Sequence, residues 1–467
     1  MMRKPRVLVL AEECNPEFVS VPLVGWSHYL ALSEIADVHL VTQIRNRPAL
    51  LRFGLTEGRD VTFIDSEAVA RPAYLLRPYL GAGGGKGWTI ITALLSLTYP
   101  YFEHLLWNQF GPRITAGQFD IVHRIVPLSP TTPSLIAAHC KRAGVPFILG
   151  PLNGGLPWPR AFTRERRRER EWLSYFRGLY KCLPDYHATW RNASAVLIGS
   201  RNTWSQVPRQ YRHKCFYMPE NAIDPSRFTA KRTRRAQRPI RVTFVGRLVP
   251  YKGPDMLLEA AADLIRSGDL TVEIIGDGPL LPELKSLVSR EKLSRGVTFT
   301  GWLDHHQIPA RLADSDLLGF PSIREFGGGV VLEAMAVGTP PLVVDYGGPA
   351  ELVTDQTGFL IPLGSRSQII ASVRQQLDQI VADPSLIESR SAPAMRRARE
   401  QFTWQAKALQ TLSLYHYILG QTDSPPDFPM PLPDLSEPHN YAMAPLLQTQ
   451  PYETQNPRIA IRGFKTA

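Results

Sequence analysis

Cysteine is scarce. Four occur in 467 residues (Cys14, Cys140, Cys182, Cys215), far apart, with no CxxC spacing and no histidine cluster beside them. That leaves no framework for structural disulfides or a zinc site, so they read as thiols of a reducing, cytoplasmic compartment. Two nucleotide signatures are missing as well. GAGGGKG (81–87) has the glycines of a Walker A loop, but Leu80 stands where the first glycine belongs and Gly87 where Ser or Thr should hold magnesium. The first apolar run leads into CNPEF instead of GxGxxG, which disfavours NAD. WTIITALLSLTYPYFEHLLW (88–107) offers sixteen uncharged residues between Lys86 and Glu103 and contains Pro100, short of the ~18 expected of a spanning helix. The start, MMRKPRVLVLAEE, is too short in its apolar run and too interrupted by acids for a signal sequence. It reads as a first strand, and the Asn192-Ala193-Ser194 sequon is then incidental.

What is present points to two α/β units. The length exceeds the ~250–300 residues at which single cores stop growing, and 44% of residues are hydrophobic. The net charge of +11 and a pI near 9.5 suggest an anionic partner: nucleic acid, a phosphorylated ligand or a membrane surface. RVLVLA (6–11), ADVHLVTQ, FDIVHRI, PFILGP and SAVLIGS read as buried strands, with helical stretches such as VPLVGWSHYLALSEI and PSLIAAHCKRAG between them. Such alternation predicts a layered α/β domain over 1–218.

The Pro- and Arg-rich segment 219–240 reads as an interdomain connection. A second series follows over 241–400: RVTFVGRL, LTVEIIGDGP, VTFTGWL, DLLGFPS and PPLVVDYGG as strands, PDMLLEAAADLIRSG and LPELKSLVSREKL as helices. RRAREQFTWQAKALQTLSLYHYILG predicts one long helix, whose part over 401–420 closes the fold. From Gln421 onward nine of the 41 prolines fall among Gln, Asp and Ser, so 421–467 reads as a disordered tail.

FVGRLVPYKGPD (244–255) carries the first chemistry. Its strand ends at Gly246, and Arg247 and Lys252 leave the same loop before a helix. Ligands of open α/β sheets sit at the carboxyl ends of strands, and a guanidinium fork with a point-charge ammonium suits a diphosphate. Two solvated loop cations are the alternative. REFGGGVVLEAM (324–335) carries the second. Gly327, Gly328 and Gly329 permit close approach of main chain to ligand, and the amides opening the following helix favour an anion. Carboxylates repel phosphate, so Glu325 and Glu333 should face sugar hydroxyls. Complementing the helix dipole would account for Glu325 in part; Glu333 lies too deep in the helix for it.

Taken in order and spacing, FVGRLVPYKG, IIGDGP, PSIREFGGGVVLEAMAVGTPPLVVDYGGPAE and TGFLIP strongly resemble family-four glycosyltransferases of the GT-B fold, and PENAIDPSRF resembles the segment that opens their second domain. The likeness covers roughly 195–410 and is looser in the first half. It implies two Rossmann-like domains facing across a cleft. It also implies a nucleotide-diphosphate sugar as donor, a saccharide or lipid-linked acceptor, retention of anomeric configuration and no metal or other cofactor. Residue by residue, Arg247 and Lys252 match the diphosphate grip, Glu325 a position beside the donor sugar and Glu333 one on the ribose. Phe326, Gly327, Gly328 and Gly329 match the loop whose amides meet sugar and phosphate. Gly246 ends the strand feeding the site, Gly276, Asp277, Gly278 and Pro279 match a turn bordering the donor, and Gly25 a first-domain glycine near the phosphates.

The chain departs from the pattern twice. Val24-Gly25 replaces a common glycine pair, and Ile125 stands where the family commonly has histidine. His123, two positions earlier, either takes over a sugar contact or is a strand-end histidine satisfied in the core. GPLNGGLPWP, with Asn153, Gly154 and Gly155, reads as an acceptor-side or interdomain loop, or as a plain turn. Asp314-Ser315-Asp316 has the look of a metal-binding DxD but lies in an amphipathic run and reads as structural. RERRRERE (164–171) and 88–107 are either a charge-paired helix and a buried helical hairpin, or a basic and apolar face that docks on the inner face of a membrane. A nucleotide-sugar epimerase or hydrolase and a polyanion-binding protein are the competing functions. The second leaves the glutamates unexplained and lacks aromatic stacking stretches, so nucleic acid is not expected as a partner.

Overall fold

The computed structural model describes residues 3–76, 88–168, 184–233 and 236–428; within these, side chains are not described at 76, 88–97, 164, 168 and 184. GAGGGKG, residues 169–171 of the basic run and 429–467 of the expected tail lie outside the described residues.

Two parallel sheets organise the chain. The first holds β1 (Arg6–Ala11), β2 (Asp37–Gln43), β3 (Val61–Ile64), β4 (Ile121–Val126), β5 (Phe147–Leu152), β6 (Ala195–Ile198) and β7 (Cys215–Tyr217), in the order β3-β2-β1-β4-β5-β6-β7. The second holds β8 (Ile240–Val245), β9 (Leu270–Ile275), β10 (Val297–Gly301), β11 (Leu317–Phe320), β12 (Pro341–Val344) and β13 (Phe359–Ile361), in the order β10-β9-β8-β11-β12-β13. Each order grows one way and then reverses, between β1 and β4 and between β8 and β11. The crevice outside the carboxyl ends of such a pair is where an open α/β sheet receives its ligand.

Around the first sheet lie α1 (Val21–Ile35), α2 (Arg47–Arg52), α3 (Glu67–Leu76), α4 (Trp88–Thr115), α5 (Ile136–Arg142), α6 (Thr163–Arg168), α7 (Pro184–Asn192) and α8 (Arg201–Gln206). Around the second lie α9 (Pro254–Ser267), α10 (Leu281–Arg290), α11 (Ile308–Ala313), α12 (Gly329–Val337), α13 (Gly348–Leu352), α14 (Arg366–Ala382) and α15 (Ser385–Gln401). A last helix, α16 (Trp404–Ile418), returns to pack on α1. The near-continuous apolar runs of β1, β5 and β11 are buried along their length, as strands covered by helices on both faces are.

Two expected elements differ. Residues 88–107 form no hairpin: they belong to the single helix α4, which runs through Pro100. Tyr99, Phe102, Leu106, Phe110 and Ile114 recur every three or four residues and are buried, the spacing of a core-facing stripe. The long terminal helix is two helices. Phe402 and Thr403 leave the helical conformation, and the Thr403 hydroxyl caps α16 by accepting from Ala406 N. The break lets Phe402 O accept from Ile223 N (2.8 Å) and Trp404 N donate to Ile223 O (3.2 Å). Among the described residues no helix is long and apolar enough to cross a membrane.

Candidate functional site

The loops after β8 and β11 meet at the reversal point of the second sheet. β8 ends against Gly246, whose N–H donates to Ile275 O (3.0 Å), and Leu248 N donates to Asp277 O (2.9 Å). The two loops interlock so tightly that a Cβ on Gly276 would lie 2.0 Å from Gly246 O, and glycine alone fits there. Gly278 passes Leu248 in the same manner, Asp277 Oδ1 accepts from Gly278 N (2.7 Å), and Asp277 and Pro279 are exposed at the rim. The turn residues expected at the donor's border therefore brace the loop that carries Arg247 and Lys252.

Lys252 Nζ lies 2.9 Å from Glu325 Oε2, with the side chains 20% and 22% exposed, and 5.3 Å from the centre of the Phe320 ring. Burial disfavours the ammonium, but the adjacent Glu325 carboxylate more than offsets it and holds the Lys252 pKa above the ordinary lysine value. Arg247, half-buried on the same loop, acts on Lys252 as a like charge. Two cations thus share the loop after β8, and one of them meets the carboxylate of the loop that leads into α12.

The glycine run is held from behind by the first half of the chain. Gly328 caps α12 in the left-handed conformation (φ 67°), and a Cβ on Gly327 would fall 1.8 Å from Asn221 Nδ2 and 2.1 Å from Glu220 Oε1. Gly329 opens the helix. Phe326 O accepts from Asn153 Nδ2 (3.0 Å), which also donates to Glu220 Oε2 (2.7 Å), while Asn153 Oδ1 accepts from Gly154 N (2.8 Å). Gly348 N donates to Glu325 O (3.0 Å) and Tyr346 to Pro157 O (2.7 Å); Trp158 lies edge-on to Tyr251 with Arg324 over its ring. Asn153 has both amide hydrogens and its oxygen engaged within the protein. It acts as an interdomain strut, as one of the two sequence readings had it, and not as an acceptor ligand. Gly154 accepts from Asn202 Nδ2 through its carbonyl, and Gly155 adjoins Gln206, so both belong to the turn.

Glu333 lies on α12, its side chain 17% exposed, and Oε1 accepts from His305 Nε2 at 2.7 Å. His305 Nδ1 in turn meets Arg227 Nη2 at 2.5 Å. Arg227 lies within PENAIDPSRF, where no role falls to it, and His305 belongs to none of the quoted motifs. The linear signal of His305 is its position, after β10 on the carboxyl side of the sheet.

Other residues fall elsewhere. His123 is fully buried on β4, with Nδ1 against Tyr415 OH and Nε2 against Gly150 O, both at 2.7 Å. Burial pushes its pKa down to about 4. Both ring nitrogens have partners inside the protein, so of the two readings of His123 the structure favours the strand-end histidine satisfied in the core over a sugar-contacting, catalytic one. Gly25 sits inside α1, where a Cβ would lie 2.5 Å from Glu13 O, so the helix packs closely on the loop after β1 at this point. Asp316 Oδ2 accepts from Arg241 N (2.9 Å) and Oδ1 from Arg232 (3.1 Å), and Asp314 pairs with Arg241. The 314–316 segment precedes β11, at the amino ends of the strands, opposite the crevice.

A second buried acid bridges the two units. Both Glu351 oxygens accept from Arg201 N at 3.0 and 2.9 Å, and the Tyr217 hydroxyl donates to the same carboxylate. Burial pushes its pKa up to about 8.

Residues 226–390 match the family described as "Glycosyl transferases group 1". The alpha-D-kanosaminyltransferase of Streptomyces kanamyceticus is 29% identical over 307 residues, 61% of this chain and 77% of that protein. The D-inositol 3-phosphate glycosyltransferase of Rhodococcus erythropolis is 38% identical over 186 residues, 37% of this chain, and the match spans only 40% of that relative. Among solved structures, the Anabaena HepE protein in complex with UDP and glucose superposes with a TM-score of 0.53 at 17% identity, covering 88% of this chain and 99% of that one. Sucrose-phosphate synthase from Thermosynechococcus elongatus gives 0.55 at 16%, covering 90% and 100%. These neighbours share the two-domain GT-B fold.

Proposed function

We propose, from the premise that residues 226–390 are a group 1 glycosyltransferase domain, that the chain transfers a hexose-type sugar from a nucleotide diphosphate to a saccharide or lipid-linked acceptor. The observation that carries this reading is the Lys252–Glu325 contact at the head of α12. It supplies a cation for phosphate and an acid for sugar hydroxyls side by side. An ammonium has three hydrogens; Glu325 takes one and two remain for phosphate oxygens. Arg247 adds a second grip, and the first amides of α12 add partial positive charge. The related proteins' names describe sugar transfer, and the Anabaena neighbour holds UDP and glucose, which supports a nucleotide-diphosphate donor.

The chemistry fits transfer with retention and without metal assistance. The bond from anomeric carbon to phosphate oxygen breaks, the acceptor oxygen bonds to that carbon on the same face, and its proton passes to a departing phosphate oxygen. Charge gathers on that phosphate, where Arg247, Lys252 and the helix amides stand. We assign the acceptor to the first domain and the biological setting to cell-surface polysaccharide assembly, at the inner face of the membrane. A thermal-shift screen against UDP-, GDP- and ADP-sugars tests the donor site, since a ligand of the native state raises Tm. Incubation of the shifting donor with and without a saccharide acceptor then separates transfer from epimerisation or hydrolysis. No Tm rise with any of the three would sink the proposal.

A further inference from the structure

We propose that His305 is a positioning residue of the donor site, which aims the Glu333 carboxylate at the vicinal hydroxyls of the nucleoside ribose. The inference rests on the donor reading above and deepens it. A guanidinium can only donate, so Arg227 Nη2 at 2.5 Å makes His305 Nδ1 the acceptor. The ring hydrogen must then sit on Nε2, which donates to Glu333 Oε1 at 2.7 Å. The tautomer is assigned by its two partners. One Glu333 oxygen is thereby tied down, and the other, on a side chain that is 17% exposed, keeps its lone pairs for hydroxyl donors.

The choice of a neutral imidazole matters. A lysine or arginine at position 305 would cancel the charge of Glu333 and compete for the phosphate. An uncharged N–H fixes the carboxylate's rotation and leaves its charge in place. Further contacts fix the ring itself. Phe228 meets it edge-on, with centroids 6.3 Å apart, and Asp304 and Gln307 cap the short turn 305–307 reciprocally. Arg227 comes from the segment joining the two sheets and His305 from the carboxyl side of β10. Three separate elements therefore converge on one carboxylate.

The test uses the full chain and whichever of UDP, GDP and ADP binds it tightest, together with the 2′,3′-dideoxy form of that nucleotide. A glutamine at 305 carries its amide nitrogen near the place of Nε2, and an asparagine near that of Nδ1. We expect His305→Ala and His305→Asn to weaken the normal nucleotide about 10-fold, the scale of one lost hydrogen bond to a charged group. His305→Gln should restore most of that loss. Against the dideoxy nucleotide all four proteins should bind alike. Equal losses for both nucleotides, or no difference between the glutamine and asparagine variants, overturns the role of His305 and leaves the donor site standing. If the alanine variant does not fold, the glutamine–asparagine pair decides alone. Failure of the unaltered chain to bind any of the three nucleotides overturns the donor reading and this inference with it.

Discussion

Two lysines of this chain lie beside glutamates, and their surroundings give them opposite fates. Lys252 meets Glu325 at the mouth of the crevice, with both side chains about one-fifth exposed (20% and 22%), and its pKa is held up. Lys407, on α16, is buried behind the glycine run: its ammonium donates to Pro219 O, and the carboxylate of Glu220 acts on it through space. Burial dominates there, pulling the Lys407 pKa down and pushing that of Glu220 up. The same pairing of charges serves recognition where solvent and ligand can reach it, and cohesion where they cannot.

Substitutions should separate the two roles. Lys407→Met leaves Glu220 buried without its counter-charge, and loss of one partner of a buried pair costs about 3–5 kcal/mol. Denaturant unfolding should show that loss, and adding Glu220→Gln should recover much of it. If Lys407→Met leaves stability untouched, the distinction fails. Arg247→Ala and Lys252→Ala should leave unfolding nearly unchanged and lower transfer by ~10²–10³, the usual cost of one charge-stabilising donor. Wild-type turnover in either variant would remove it from the diphosphate grip. Between the two pairs stands Asn153, which touches Glu220 on one side and Phe326 O on the other. Its alanine variant should lose about 10-fold in kcat with nucleotide Kd changed by no more than about 3-fold, because the strut holds the loop and not the ligand.

The smallest effect concerns pH. Glu351 titrates near 4.5 when unfolded and about 8 when folded, so between those values the folded chain binds the extra proton. The stability it lends is whole below pH 4.5 and is lost as pH rises through 8. Tm should therefore fall across that window, and Glu351→Gln should flatten the fall by a few degrees. Glu12, also buried and pushed up to about 8, adds a parallel slope that the variant leaves in place.

What could be read from the chain in advance was whatever one stretch of it decides. The apolar runs of β1 and β8, the strand-ending Gly246 and the cations beyond it, and the glycines before α12 each follow from neighbours in sequence. The edge strands β3 and β7, four and three residues long, gave too little periodicity to see. The hairpin expected over 88–107 gave way to one helix that continues through Pro100. The Thr403 cap was legible in principle, as a hydroxyl residue before a helical run. His305 and Arg227 were not: His305 lies 28 positions from Glu333 and Arg227 78 from His305, while Asn153 reaches Phe326 across 173. Such partners are chosen by tertiary packing within and between the two units, and no spacing rule encodes that.

The chain passes between its halves twice, once near Ile223 on the way out and again at Phe402–Trp404 on the way back, and the two passages are stitched together by hydrogen bonds. A lid on a single cord can swing in any direction, whereas one fastened at two adjoining points turns about the line that joins them. Any opening of the crevice would then turn about one axis, and the fifteen-residue helix α16, packed on α1, would travel with the first half of the chain.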